Sequence, residues 1–266
     1  MRPQKKAQHH KHEEPHFGHA PSTPAIAIRQ VAADYGHGPV IEDITFDIMT
    51  GETFGLIGLN GTGKTTLIKI ILGLMEAAKG NIEVFGHQTL DPESKKKIAY
   101  LPEKFEPPPF LSGMEFVRFS LDLYSRSFSE EAVLQAADRV SLQRSSLARR
   151  VVTYSKGMRQ KTGLIGTWLT ECPLLILDEP MSGLDPLARV LVKDEIIACK
   201  KRGMTVFLSS HILADMDEIC DRIAIIHDGG LKFVGTPSEL KTKTKQEYLE
   251  RAFLKTIEGS KRIYES

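Results

Sequence analysis

The sequence predicts an α/β protein with a parallel-sheet core and an inserted helical subdomain. Three observations point that way. The apolar run Phe54-Gly55-Leu56-Ile57 passes into the glycine-rich stretch Gly58 to Thr65 and then into Leu67 to Leu72: strand, loop and helix in immediate succession. Leu174-Leu175-Ile176-Leu177 and Val206-Phe207-Leu208 are continuous apolar runs, as expected of parallel strands buried on both faces. Helical patterns fill about Ser112 to Cys172, between the first unit and these strands.

The glycine-rich stretch fits G-x-x-x-x-G-K-[ST], with Gly58, Gly63, Lys64 and Thr65 at the defining positions and Thr66 following. Gly58, Gly61 and Gly63 let the backbone turn its N–H groups toward an anion, and the helix that follows points the positive end of its dipole at the same place. Lys64 can reach the outer phosphates of a nucleotide, and the Thr65 hydroxyl can coordinate Mg²⁺. A phosphate loop by itself implies a nucleotide and no particular reaction.

In chain order, residues 1–23 are rich in His, Lys, Pro and Gln and read as a disordered tail. His9, His10, His12, His16 and His19 within it have no fixed geometry for a metal. Ala25 to Ile28 begins a strand, and Ile44, Phe46 and Ile48 alternate at strand period. Tyr35 lies between them on a turn ahead of the phosphate loop, where it can stack on a purine or pack at a strand end. Ile82 to Phe85 and Ile98 to Leu101 are further strands, the second closing on Pro102 and Glu103. Lys104 to Leu111 carries Pro107, Pro108 and Pro109 between Phe105 and Phe110, an irregular loop expected to present aromatic side chains. Helix starts are expected at Ser112, and at Ser127 with Glu130 as a capping box.

Asp178 and Glu179 end the Leu174 strand, where doubly wound sheets place their ligands. One carboxylate can hold Mg²⁺ while its neighbour polarises an attacking water. Asp185-Pro186 has the form of an N-cap followed by N1 proline, so capping and a functional role are both open for Asp185. A histidine at a strand end is usually just satisfied, but His211 ends a strand expected beside the two carboxylates, which adds weight to a functional reading. Asp228-Gly229-Gly230 signals a hairpin, and the chain becomes basic and polar from Lys241, closing with an amphipathic helix carrying Leu249, Ala252, Phe253 and Ile257.

A chain of 266 residues with a net charge of +1 can bury a full core and has no global field favouring nucleic acid. Cys172, Cys199 and Cys220 lack Cys-x-x-Cys spacing and read as buried free thiols in a reducing compartment. No apolar run approaches the ~18 residues of a membrane span, and no signal-peptide core is present. The expectation is a cytosolic chain, or one held at a membrane by a partner.

With the phosphate loop, the Leu175 to Pro180 strand and the Ser209-Ser210-His211 strand in this order, the sequence resembles the ATP-binding cassette (ABC) ATPases from about Ile26 to Thr236. Tyr154-Ser155-Lys156-Gly157-Met158-Arg159-Gln160 sits where that family carries its signature, usually Leu-Ser-Gly-Gly-Gln. The resemblance implies a P-loop NTPase (RecA-like) parallel-sheet core with an antiparallel β-subdomain and an inserted helical subdomain. It divides the chain into a tail at 1–23, an ATPase domain at 24–240 with its helical subdomain at about 104–172, and a basic C-terminal extension at 241–266.

The resemblance also assigns roles. Tyr35 would stack on adenine; Gly58 to Thr66, including Asn60, Gly61 and Gly63, would hold the phosphates of ATP, with Lys64 serving catalysis; Thr65 and Asp178 would bind Mg²⁺, with Glu103 beside them. Glu179 would be the catalytic base and His211 would contact the γ-phosphate. Ser155 and Gly157 would bind the nucleotide of a second protomer, and Asp185 would face that protomer, in a head-to-tail homodimer or paired cassette. Two departures stand out: Glu103 replaces a usual Gln, and Lys156 replaces a signature Gly, with Met158 in place of the usual Gln. They resemble the branch that powers type-2 exporters.

The resemblance implies an integral-membrane permease partner, no nucleic acid, and a place on the cytoplasmic face of the cell membrane. A soluble ATPase of the same superfamily acting on a ribosome or nucleoprotein is the alternative. The single cassette and the lack of sustained heptads between phosphate loop and signature weigh against it.

Overall fold

The structure, a computed structural model, describes residues 23–36 and 38–261. The predicted histidine-rich tail lies outside the described residues apart from Thr23, and so does His37.

Two long strands open the fold, β1 (Pro24–Asp34) and β2 (Pro39–Met49), antiparallel and joined by a turn. Asp34 organises that turn by accepting the N–H groups of Gly36 and Gly38 on Oδ1. β3 (Thr53–Ile57) leads through the glycine-rich loop into α1 (Lys64–Ile71), as the apolar run and the loop spacing predict. β4 (Lys79–Val84) and the two-residue β5 (His87–Gln88) add antiparallel to β1, and the short α2 (Pro92–Lys95) leads to β6 (Ile98–Leu101).

The helical stretch contains α3 (Gly113–Leu123), α4 (Glu130–Arg139), two 3-10 turns and α5 (Lys156–Leu169). Ser112 caps α3 in a reciprocal box with Glu115, as expected of its position. The cap of α4 is Ser129 rather than Ser127: the helix starts two residues later than the Ser127–Glu130 spacing suggests. Its third position is therefore Ala132, which has no carboxylate to close a box.

The sheet then resumes with β7 (Leu174–Asp178), α6 (Pro186–Lys201), β8 (Thr205–Ser210), α7 (Leu213–Ile219), β9 (Arg222–His227) and β10 (Gly230–Gly235). Among the described residues the ten strands form one sheet in the order β5-β4-β1-β2-β10-β9-β3-β8-β7-β6. β9, β3, β8, β7 and β6 are mutually parallel, and β1, β2, β4 and β5 form the antiparallel part. The hairpin at Asp228-Gly229 takes positive φ at both residues, the geometry that matches strand twist.

Alternating residues of the central strands enter two different cores. Leu175 and Leu177 of β7 pack on the helix side with Val117, Trp168 and Ile196, while Leu174 and Ile176 pack on the other side with Phe46, Phe54 and Ile68. This two-sided burial is why these strands read as unbroken apolar runs. The three cysteines are buried, and burial pushes each thiol up, Cys199 to about 11.

Two expectations are corrected here. Phe105 does not stand out from its proline-rich loop: its ring meets Phe116 edge-on with centroids 5.2 Å apart and fits against Gly163, where a Cβ would come within 2.8 Å of it. Phe110 alone of the two aromatics is exposed, at 70%. The second correction concerns the C-terminal end. α8 (Pro237–Thr244) runs across residues 240 and 241, so that boundary falls inside a helix. Leu249, Ala252, Phe253 and Ile257 of α9 (Leu249–Lys261) are buried in the helix-side core, which makes this segment part of the main fold. No helix among the described residues is long and apolar enough to cross a membrane.

Truncating a buried phenylalanine removes its contacts and leaves a cavity, so Phe253→Ala is expected to lower the unfolding free energy by about 3–5 kcal/mol. Chemical denaturation monitored by circular dichroism checks this. A loss comparable to that of an exposed site such as Leu254→Ala would show α9 to be peripheral.

Candidate functional site

The parallel strands deliver their last residues to one edge of the sheet. Ile57 of β3 pairs with Ser210 of β8, and Ser209 of β8 pairs with Asp178 of β7. Across this edge lies a cavity of about 430 Å³, lined by Asn60, Gly61, Gly63, Lys64, Thr65 and Thr66 of the loop and α1, by Asp178, Glu179 and His211 of the strand ends, and by Glu103 and Val40.

The loop is shaped by its glycines. Gly61 and Gly63 have φ of 82° and 98°, in the region open to glycine, and a Cβ on Gly63 would come within 2.2 Å of the Ile41 side chain. Gly58 is constrained by space, since a Cβ there would lie 2.7 Å from the Ile226 carbonyl. Lys64, largely buried, folds back and donates from Nζ to the carbonyl oxygens of Gly58 (2.7 Å) and Leu59 (3.1 Å). Burial pushes its ammonium below the ordinary lysine value, opposed by the charges of Glu179, Asp178 and Glu103.

The two carboxylates are tied together by Ser209. Its hydroxyl donates to Asp178 Oδ1 (2.5 Å) and accepts the backbone N–H of Glu179 (3.0 Å). Thr65 Oγ1 lies 3.4 Å from Asp178 Oδ2. Burial raises the Asp178 carboxyl above its usual range and the Glu103 charge adds to this, while the Ser209 hydroxyl, Thr65 and Lys64 favour the ionised form. Glu179 has φ of 50°, left-handed for a non-glycine residue, so the chain leaves the strand there and turns at once, with Ser182 N donating to the Glu179 carbonyl. Its side chain is buried and accepts from His211 Nδ1 at 2.9 Å. The His211 side chain is 57% exposed.

These donors fit a nucleotide with a hard cation. A hydroxyl and a carboxylate oxygen converge at Thr65 and Asp178, and Mg²⁺ is normally held by one or two such protein oxygens plus phosphate oxygens and water. Among the described residues no group of three or more His, Cys, Asp or Glu side chains could hold a metal by itself. The backbone cradle with Lys64 beside it suits phosphates.

The remaining sequence-predicted residues lie elsewhere. Tyr35 is 52% exposed rather than packed at a strand end, and its hydroxyl stands 3.3 Å from Thr66 Oγ1. Asp185 is the N-cap of α6: its Oδ1 accepts the Ala188 N–H at 2.9 Å, and that bond holds its carboxyl below the usual range. Ser155 caps α5, and neither it, Gly157 nor Asp185 lines the cavity. The start of α5 is bound to the loop after Glu179: Gln160 Nε2 donates to the Pro180 carbonyl (3.0 Å) and Lys156 Nζ to Ser182 Oγ (3.2 Å). Sequence reasoning missed Val40, which reaches the cavity through strand pairing, and the bridging role of Ser209, for which the strand-end polar cluster was the available signal.

Ser209→Ala leaves the Glu179 N–H and one oxygen of Asp178 without their buried partner, an expected cost of about 1–3 kcal/mol in unfolding free energy. Denaturant titration against Ser210→Ala, whose hydroxyl serves only the Ile212 N–H, separates this from a generic loss.

Residues 41–182 match the family model described as "ABC transporter". An uncharacterized ABC transporter ATP-binding protein of Synechocystis is 39% identical over 203 residues, which is 75% of this chain and 57% of that protein, so the chain spans little more than half of that relative. The fluoroquinolones export ATP-binding protein of Mycobacterium tuberculosis is 33% identical over 226 residues, covering 82% of this chain and 73% of that one. A solved structure described as an ATP-binding subunit of an ABC transporter superposes with a TM-score of 0.81 at 32% identity, over 87% of this chain and 99% of that chain. With its phosphate loop and strand-end carboxylates arranged as above, the chain belongs to the ABC transporter family.

Proposed function

We propose that this chain binds and hydrolyses ATP as the nucleotide-binding subunit of an ABC transporter and powers export through a separate membrane permease. The observation that carries the proposal is the convergence of Lys64, Thr65, Asp178, Glu179 and His211 on one cavity at the carboxyl edge of the sheet. The description of its relatives as ATP-binding proteins or subunits supports a division of labour with a permease, and the Mycobacterium name supports export. In this arrangement the chain lies on the cytoplasmic face of the cell membrane, held there by the permease.

Each residue then has a physical task. Lys64 exchanges the Gly58 and Leu59 carbonyls for phosphate oxygens, a swap that supplies a stronger, charged partner. Asn60, Gly61, Gly63 and Thr66 line the cradle, and the exposed Tyr35 ring, close to Thr66 through its hydroxyl, offers a face to adenine. Thr65 and Asp178 would hold Mg²⁺, with Glu103 at the same cavity, and the ion would supply positive charge against the phosphates. Glu179 takes the proton of the attacking water, and His211, which touches its Oε2, orients that carboxylate and can reach the γ-phosphate.

The site is half of a working unit. Ser155, Gly157 and Asp185 stand outside the cavity of their own chain, and a head-to-tail pair of chains sets them against the nucleotide of the other. Lys156 would be unfavourable at a helix N-terminus by about 0.3–1 kcal/mol, an effect that reverses when a phosphate docks there.

Glu179→Gln keeps the shape of the side chain and removes its basicity. ATP binding is expected to persist, with turnover lower by about 10²–10⁴-fold and an ATP-dependent dimer on size-exclusion chromatography. Near-normal turnover in this variant removes Glu179 from the role of base.

A further inference from the structure

His211 is held only loosely by its own surroundings. Its ring is more than half exposed and contacts Glu179, and it stands two residues before α7, a helix of seven residues whose N-cap, Ile212, provides no side-chain bond. Besides the Ser210 hydroxyl, which accepts the Ile212 N–H at 3.0 Å, a second anchor for the start of α7 lies one turn beyond His211. Asp215 is 4% exposed, and its carboxylate lies between two cations of α6: Arg189 Nη2 donates to Oδ2 at 2.6 Å, and Lys193 Nζ is 3.6 Å from Oδ1. Lys193 also pairs with Glu218 on the next turn of α7.

Both cations belong to the helix that Asp185 caps, and the Arg189 N–H donates to the Asp185 carbonyl. The far ends of the two helices are joined as well, Lys200 pairing with Asp221 just past α7. A carboxylate this buried and shared between two cations has a narrow range of positions, since leaving either cation unpaired in a desolvated site is costly. The Nε of Arg189 is buried without a partner, so the guanidinium depends all the more on Asp215.

We propose that Asp215 is a positioning residue that locks His211 against Glu179 by joining α7 to the first turns of α6. A shift of the Asp185 loop thereby moves His211. The proposal rests on the roles given to Glu179 and His211 above. It adds that the His211 contact is set from α6 and not by the strand end alone.

The test compares Asp215→Asn, Asp215→Glu and the exchanged pair Arg189→Asp with Asp215→Arg. The readouts are steady-state ATP hydrolysis, ATP binding, thermal unfolding and the ring-nitrogen NMR signal of His211, assigned with His211→Gln. Asp215→Asn is expected to lower kcat about tenfold with KM for ATP within about twofold, and to move the His211 signal. Asp215→Glu and the exchanged pair are expected to restore much of both.

An unchanged His211 signal in folded Asp215→Asn overturns the proposal whether or not the chain hydrolyses ATP. Loss of stability in step with kcat, without recovery in the exchanged pair, also overturns it. If the unaltered chain shows no turnover, the proposed function fails separately, and the His211 signal still decides this point.

Discussion

Ile57 beside Ser210, and Ser209 beside Asp178: this register of three neighbouring parallel strands is the constraint on which the site depends. It aligns the carboxyl ends of β3, β8 and β7, so the glycine-rich loop, a serine bridge, two carboxylates and a histidine emerge at one edge of a sheet that is apolar throughout its middle. The apolar middle makes the arrangement rigid. Leu174 to Leu177 and Val206 to Leu208 are buried on both faces, and a slip of one residue would exchange the two cores and carry the polar ends out of reach of one another. Within this frame the Ser209 hydroxyl couples Asp178 to the backbone of Glu179, so the two carboxylates are held as one unit.

The same edge explains the charge balance. Lys64 is buried among Glu179, Asp178 and Glu103, whose negative charge offsets the desolvation of its ammonium. Asp178 is buried as well, and only hydroxyls and Lys64 support its ionised form. An excess of carboxylate in a partly desolvated cavity is a poor resting arrangement and a good receptor for a cation that arrives with a polyphosphate. Meanwhile the elements expected to complete the site are joined to it from behind. Gln160 and Lys156 of α5 hold the loop that follows Glu179, and Arg189 and Lys193 of α6 hold Asp215 below His211. In the proposed head-to-tail pair, contact with a second chain at this face would reach both Glu179 and His211 through these bonds.

Much of this was legible in the sequence because it depends on local pattern. The phosphate loop, the runs ending in Asp178-Glu179 and His211, the Asp185 cap and the Asp228-Gly229 hairpin each follow from spacing and residue type, and the structure places them as their patterns require. What was not legible depends on tertiary contact. Phe105 turns inward because Gly163, 58 positions later in the chain, leaves room for its ring. The Lys241 segment looks like a polar extension by composition, yet Phe253 and Ile257 fill the helix-side core. Val40 reaches the cavity only through pairing of its strand, and no local signal marks it. Ser127 against Ser129 is the usual uncertainty of a helix end in a serine-rich approach, decided by where Val133 and Ala136 must be buried.

In the proposed working unit one chain holds half of a catalytic site and a second chain completes it. The most direct measurement is the ATP hydrolysis rate per chain over a wide range of protein concentration, with light scattering to follow association. A rate per chain that rises with concentration and levels off as the dimer forms is predicted. A constant, substantial rate at concentrations where the chain stays monomeric with ATP bound would contradict the account.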